Sequence, residues 1–352
     1  MEREVKGHPY SDVFSGVETA KAIVNRASSR NIEGYRNLEQ LRRVAPFEIL
    51  EVPTANSRTT KLDLIHNALE NSQLLIIVGG DGTFNDVLHT ISTNGLSDEA
   101  KLTPIWCMGG GNANDGTKAM HSKNAIKNPA YALYTARTIS SYPIRFDITR
   151  PDGETITRSA GLYATLGISG LYSSDKYLNN PSFRKKLTKL EKYSPLTRKI
   201  ATGYLETMLG LKALTAYKAF EIKQADGVTR EVYDEVYVNS SQMAKYLGFP
   251  TKLNSREIFH YTSSNRAQFL GRNALHAVSH IHSGQLVSAY TSDDEYIRGD
   301  EQRSFYTSVD AYAQFDGEAE IVPANSRVDV SIHKQPITLL ATHPDLIVGH
   351  RP

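Results

Sequence analysis

Leu74–Ile91 reads LLIIVGGDGTFNDVLHTI, and the reading of the whole chain turns on it. Five apolar residues, Leu74 to Val78, fit a strand buried on both faces, and Gly79-Gly80-Asp81-Gly82 stops that run. After Thr83 the apolar residues Phe84, Val87, Leu88 and Ile91 recur at helical spacing, which places the glycines between a strand and a helix. At such junctions in α/β sheets, free backbone N–H groups and the positive end of the helix dipole favour anions, phosphates among them. Asp81 does not fit that picture by itself. A carboxylate in a phosphate-facing turn repels its ligand unless it holds a metal ion carried by the phosphates or takes a proton from an attacking hydroxyl. Alone, the segment is equally a glycine turn with an exposed Asp.

The 352 residues suffice for two domains of ordinary size. With 22% charged and 40% hydrophobic residues the chain is neither disordered nor membrane-spanning in composition. Its 40 Lys+Arg against 38 Asp+Glu leave a net charge of +2, so nucleic acid is not an expected partner. Cys107, the one cysteine, forms no intrachain disulfide. The first residues, MEREVKGHPYSDVF, lack the apolar centre of a secretion signal, and no run approaches the ~18 apolar residues of a transmembrane helix. The expected location is the cytoplasm, with any membrane contact peripheral.

Working outward, residues 1–20 read as a polar N-terminal arm. Ala22–Val24 is a short strand, followed by the polar loop Asn25-Arg26-Ala27-Ser28-Ser29-Arg30 and a helix around Glu33–Val44. Phe47–Val52 and Arg58–Glu70 make a second strand and helix. With Leu74–Ile91 this gives successive β-α units, hence a doubly wound parallel sheet with its loops at the strands' carboxyl ends. A fourth strand, Pro104–Met108, runs into a second glycine-rich loop, Gly109–Gly116, in which Asn114 and Asp115 supply a donor and an acceptor or an Asx turn. Asn128–Ser140 reads as a further helix. From Arg145 the pattern becomes short alternating segments (Arg145–Ile148, Ala160–Ile168, Ala219–Gln224, Val232–Val238), as in antiparallel strands. The expected domains are 21–145, an α/β unit, and 146–335, a unit of antiparallel strands with an inserted helical stretch. A last segment, 336–352, is placed to return to the first domain.

Within the second half, Ser182–Gly210 is helical in pattern. Its Arg184–Lys199 portion holds Arg184, Lys185, Lys186, Lys189, Lys192, Arg198 and Lys199 against Glu191 alone, which suits an anionic membrane surface, nearby phosphates or a merely solvated face. His276, His280 and His282 lack an evident acidic or cysteine partner for a metal site. Tyr306–Val322 resembles a hairpin turned at Asp316-Gly317, with Glu318 beside the turn.

The order of these motifs resembles the diacylglycerol kinase catalytic family, which includes bacterial lipid kinases, sphingosine kinases and ceramide kinase. The resemblance spans roughly residues 20–340. It rests on GGDGT at Gly79–Thr83 with Phe84-Asn85-Asp86, on Gly111-Asn112-Ala113-Asn114-Asp115, on Asp147, on Asp316-Gly317-Glu318 and on the basic segment running to Thr202–Leu214. The chain departs from the family pattern at Arg26, Ser29, Gly109 and Asn112, and Asn254-Ser255 stand where bacterial members carry an Asp-Gly pair linked to a structural magnesium.

The resemblance implies a phosphofructokinase/NAD-kinase-like α/β domain joined to an antiparallel β-sandwich, and an ATP-dependent lipid kinase acting on a diacylglycerol-like or sphingoid hydroxyl. ATP phosphates would lie on Gly79, Gly80, Asp81, Gly82 and Thr83, with Asn85 and Asp86, and on Gly111, Asn112, Asn114 and Asp115. Asn25, Ser28, Arg30 and Thr54 would help seat the nucleotide. Mg²⁺ would bridge phosphates near Asp81, directly or through water. Glu318 matches the proton acceptor of bacterial members and Asp81 that of others; Glu318 is taken as base and Asp81 as organiser of metal and phosphate. Acyl chains are expected between the sandwich's sheets. The rivals are an NAD-kinase-like enzyme and a lipid- or nucleotide-binding member without turnover. Oligomeric state stays open, a dimer included.

Overall fold

The computed structural model describes residues 10–347 except 27, 29–30, 55–56, 93–94, 111–113, 175, 179, 241, 244–245, 248–250 and 272–294. The expected site residues Arg30, Gly111 and Asn112, and His276, His280 and His282, lie outside the described residues.

The first sheet takes β1 (Thr19–Val24), β2 (Glu48–Pro53), β3 (Leu74–Val78), β4 (Ile105–Cys107) and β5 (Arg137–Ser141), joined by a strand from near the C-terminus, Ile337–Ala341. Their order is β2-β1-β3-β4, then the C-terminal strand, then β5. β1 to β4 and the C-terminal strand are parallel, while β5 runs antiparallel to the C-terminal strand. The connections are α1 (Asn31–Arg42), α2 (Arg58–Glu70), α3 (Asp81–Ser92), and the shorter α4 (Asp98–Lys101), α5 (Asp115–Met120), α6 (Lys123–Lys127) and α7 (Pro129–Thr135). Chain order leaves β1 in opposite directions toward β2 and β3, so the carboxyl ends of β1 and β3 form a switch point, where such sheets open a ligand crevice.

β3 explains the layering. All five residues are buried, with Leu75 and Ile77 facing α2 and α3, and Leu74, Ile76 and Val78 facing α1 and α7. The strand is covered on both sides, as its uninterrupted apolar run requires.

Two parts of this half differ from the sequence reading. Residues 10–20 are not a free arm: Phe14 is buried against Phe47 and Trp106, ring centroids 5.7 Å away in each case, and Ser11 bonds the Ala136 carbonyl. The anchors are isolated aromatics without periodicity. The helix expected to reach Ser140 ends at Thr135, and 137–141 form β5 because they pair with the distant C-terminal strand.

The second half is two six-stranded antiparallel sheets. One contains β6 (Ile144–Thr149), β7 (Thr155–Ala160), β9 (Phe220–Gln224), β10 (Thr229–Val232), β16 (Gln302–Thr307) and β19 (Arg327–Ile332). The other contains β8 (Tyr163–Gly167), β11 (Asp234–Val238), β14 (Glu257–Ser263), β15 (Glu295–Arg298), β17 (Ala311–Phe315) and β18 (Glu318–Val322). Gln242–Met243 and Tyr246–Leu247, β12 and β13, form a small separate hairpin, and the C-terminal strand of the first sheet completes the count as β20. Helices α8 (Ile168–Ser173), α9 (Pro181–Lys189) and α10 (Pro195–Ala216) are inserted between β8 and β9; Ser194 caps and Pro195 starts α10, so the helical stretch expected over Ser182–Gly210 is divided between α9 and α10.

The sheets face each other through one continuous core that includes Phe146, Tyr237, Phe305 and Phe315. Phe146 meets Tyr237 and Phe315 edge-on, at 5.3 and 5.1 Å. At one end the interior is ionic: Glu235 accepts from Tyr237 Oη at 2.7 Å and pairs with Arg303 of the opposite sheet at 3.2 Å. Burial pushes the Glu235 carboxyl up, but His260 first, then Arg303 and Tyr237, hold it down to about 2. Aliphatic and aromatic side chains from both inner faces make up this core. The other face of the β8 sheet packs on the α2–α3 layer, Val236, Val238 and Phe259 meeting Phe84 and Leu88.

Candidate active site

α3 begins at Asp81, three residues before Phe84, where the apolar periodicity starts. The amides of Thr83 and Phe84 both reach back to the Gly80 carbonyl, at 3.0 and 3.2 Å. Only Gly79 and Gly80 form the connection, and Asp81, Gly82 and Thr83 are the first helical turn. An acid is favourable there because it meets the positive end of the helix dipole.

The strand ends around this turn are tied together. Asn25, after β1, donates from Nδ2 to Thr83 Oγ1 at 2.9 Å, and its own N–H bonds Val78 O. Ser28 Oγ donates to the Gly110 carbonyl at 2.6 Å, and Gly110 N–H donates to Asn114 Oδ1 at 3.1 Å. Asn114 is left-handed (φ 54°), and Gly109 (φ 75°) and Gly110 (φ 159°) need the freedom of glycine. A methyl on Gly110 would stand 3.1 Å from Gly79 N, and one on Gly34 of α1 would stand 2.7 Å from Gly109 O. The loop after β4 is thus held against both α1 and the turn after β3.

Asp81 spans the gap between two helix starts. Asn114, the cap residue of α5, makes no side-chain bond to that helix, and Asp81 Oδ1 accepts the Gly116 N–H at 3.0 Å instead. Burial pushes the Asp81 carboxyl above the ordinary carboxylate range, while the Gly116 and Asp115 N–H groups and Lys118 pull it down. Asp115 is fully buried, 3.8 Å from Lys118.

The second half reaches this turn through the β17–β18 hairpin. Asp316 (φ 47°) and Gly317 (φ 96°) have the paired positive φ of a tight hairpin turn. Asp316 is buried and accepts from the N–H groups of Gly161 (2.6 Å), Leu162 (3.0 Å) and Tyr163 (2.9 Å) and from Asn85 Nδ2 (3.3 Å). Burial pushes its carboxyl up to about 7 against the pull of those donors. Bidentate Arg158–Glu320 holds β18 from the facing sheet, at 2.5 and 3.0 Å. Glu318, next along the hairpin, is exposed, and its carboxylate lies over Gly82 so closely that a methyl there would collide with Oε1.

The structure therefore gathers Asn25, Gly79, Gly80, Asp81, Gly82, Thr83, Asn114 and Glu318 at one crevice, with Ser28 and Asp115 joined to it through Gly110 and Gly116. Two expected residues, Asn85 and Asp86, make other contacts. Asn85 is buried, bonded to Ser159 O at 2.7 Å and to Asp316, and so anchors the hairpin. Asp86 is buried and pairs with Lys61 of α2. Thr54 follows β2, its N–H on the Val24 carbonyl at 3.1 Å. Sequence reasoning passed over Gly161, Tyr163 and Arg158; no local pattern marks them. Asp147 is occupied by Arg145 and Thr157, which hold its carboxyl below the usual range.

Beside the β4 loop opens a cavity of about 420 Å³, lined by Gly109, Gly110, Asn114 and Lys118, by Glu33, Arg36 and Asn37 of α1, and by Lys127. For magnesium, the described residues form no cluster of three or more metal-ligating side chains. Asp81 fits instead an ion carried by nucleotide phosphates, since Mg²⁺ commonly takes one or two carboxylates with phosphate oxygens and water.

Residues 19–144 match the family model of the diacylglycerol kinase catalytic domain, as the motif order suggested. Among curated proteins no sequence match was found. The fold is similar to the crystal structure of a diacylglycerol kinase from Bacillus anthracis str. Sterne (TM-score 0.57, 13% identity, covering 94% of this chain and 98% of that one). It is also similar to yeast NADH kinase complexed with NADH (TM-score 0.53, 9% identity, covering 95% of this chain and 86% of that one). A parallel-sheet domain of the diacylglycerol kinase/NAD kinase type joined to antiparallel sheets is thus the fold.

Proposed function

We propose that the chain transfers the γ-phosphoryl group of ATP to the hydroxyl of a diacylglycerol-like or sphingoid lipid. The observation that carries this reading is Glu318, an exposed carboxylate that the second half presses onto the GGDGT turn of the first. A base at that place suits a hydroxyl acceptor entering between the halves. The Gly79–Thr83 turn and the Gly110 backbone cradle phosphates, and Asn25 fixes Thr83 in that cradle. Asp81 orients the phosphates by its position between the starts of α3 and α5. Magnesium, when bound, neutralises phosphate charge beside Asp81. Glu318 takes the hydroxyl proton as its oxygen bonds to the γ-phosphorus and the bond to ADP breaks. Most of the catalysis is placement, because phosphoryl transfer asks little covalent chemistry of the protein.

The test is ATP-dependent phosphorylation of a total lipid extract, with products identified by mass and NAD assayed in parallel. A phosphorylated lipid is expected. The fold's likeness to NADH kinase favours a second reading, and phosphorylated NAD as sole product would establish it and sink the lipid proposal. ATP binding without any product would favour a binding protein.

A further inference from the structure

From Ile200 onward the described residues of α10 lack the charged outer face usual for a surface helix. Its inner side packs Ala213, Leu209 and Leu214 with Leu171 and Tyr233 beneath. On the outer side Ile200, Tyr204, Met208 and Leu211 are 65, 64, 49 and 51% exposed. Their spacing puts them in one stripe along the helix. Of the exposed positions from Ile200 to Ala216, Lys212 alone is charged, whereas an amphipathic helix in water turns its charged residues outward. The helix is no membrane span, for no described helix is long and apolar enough to cross a bilayer.

The segment just before this stripe is basic. Lys185, Lys186 and Lys189 of α9 and Lys192 in the turn after it are exposed. Tyr193, half exposed, carries the Lys192 ammonium 5.6 Å from its ring centroid. Apolar side chains bordered by lysines and a tyrosine match the boundary between acyl chains and anionic headgroups, where lysine stems reach up to phosphate and aromatic rings settle at headgroup level. A second copy fits less well, since a symmetric contact through the stripe gathers two sets of these lysines around one interface.

We infer that α9 and α10 form a docking surface for an anionic lipid bilayer, with the Ile200–Leu211 stripe entering the acyl boundary and the α9 lysines on the headgroups. The inference extends the proposed function, because a lipid-phosphorylating enzyme must meet its acceptor at a membrane. α8, which carries α10, also covers β17, the strand leading to the Glu318 hairpin: Ser173 Oγ donates to Gln314 Oε1 at 2.8 Å. The docked face and the proposed base thus belong to one continuous unit.

The experiment is co-sedimentation of the full chain with vesicles of phosphatidylcholine alone or with about one-third phosphatidylglycerol, without nucleotide. Binding only to the anionic vesicles is expected. It should fall on the order of tenfold or more in Ile200→Glu/Leu211→Glu, and similarly in Lys185→Glu/Lys186→Glu/Lys189→Glu. Both variants change exposed side chains, and unchanged thermal melting verifies their folding. Tyr204→Trp adds a direct readout: brominated lipid should quench the introduced indole, while the native Trp106 is buried. Wild-type binding by the folded stripe variant, or no quenching, would overturn the inference. So would a dimer that the stripe variant dissociates, with no vesicle binding by either protein. Phosphorylation of lipid in detergent micelles without vesicle binding removes the docking surface and leaves the kinase reading; vesicle binding with no lipid product does the reverse.

Discussion

Asp81→Asn separates the two things Asp81 does. Its side chain supplies an acceptor to the Gly116 N–H, 3.0 Å away, and a negative charge in the crevice. Burial raises its folded-state pKa, so the ionised form is the one folding disfavours. The favourable contribution of such a group is complete below the unfolded-state pKa and is lost as pH rises through the folded value. At neutral pH, without ligand, Asn removes a poorly tolerated charge and keeps an oxygen for Gly116. Asp81→Asn is therefore expected to melt at or above the wild-type temperature, with the difference shrinking toward pH 4. Asp81→Ala loses the acceptor at a helix start, about 1 kcal/mol, or a fall of about 1–2 °C in Tm for a chain of 352 residues. Turnover behaves differently, because a charge placed for phosphoryl transfer is lost in both variants. A drop on the order of 10²–10³-fold in kcat is expected for Asn and Ala alike. Melting across pH 4–8 and steady-state kinetics at saturating ATP measure both effects. A folded Asp81→Asn protein with full turnover would refute the assignment of the crevice, and an Asn variant less stable than Ala would refute the capping role.

Gly82→Ala should raise Tm slightly, since Ala is favoured in a helix by up to about 1 kcal/mol, yet lower kcat toward the Glu318→Gln level because the methyl displaces the Glu318 carboxylate; kinetics of the single and double variants test this, and additive losses count against it. Glu318→Gln is expected to leave melting unchanged, its side chain being exposed, and to reduce kcat by about 10²–10⁴. Asp316→Ala leaves three backbone N–H groups without their acceptor and should destabilise by about 3 kcal/mol or more, seen as a lower midpoint in urea. His121 and His333 are buried and held down to about 4. The unfolded chain binds their protons from about pH 6.5 downward, so stability is full above that pH and falls toward pH 4 by up to about 1.4 kcal/mol per unit for each histidine. Asp316 and Asp234, both pushed up to about 7, act in the opposite sense across this window. His121→Gln and His333→Gln should each flatten the wild-type slope between pH 6.5 and 4.

The first sheet was legible because its signals are local. β3 is an unbroken buried run, and the apolar spacing of α3 follows at once. What escaped needed partners far along the chain: β5 is a strand through its pairing with Ile337–Ala341, and residues 10–20 are packed through single aromatics. The site divides in the same way. GGDGT announces an anion turn, but nothing near it says why the fourth residue is glycine. The motif needs Gly82 because a carboxylate from the second half lies against it, more than two hundred residues away in sequence. Asn85 shows the converse. Beside the glycines it read as a ligand contact, yet it holds Asp316, and through Asp316 the hairpin that carries Glu318. The segment after GGDGT therefore holds the other half of the protein through Asn85. Breaking that link at Asn85 or Asp316 should misplace the base before it disturbs the phosphate cradle, so nucleotide affinity should survive changes there that abolish turnover.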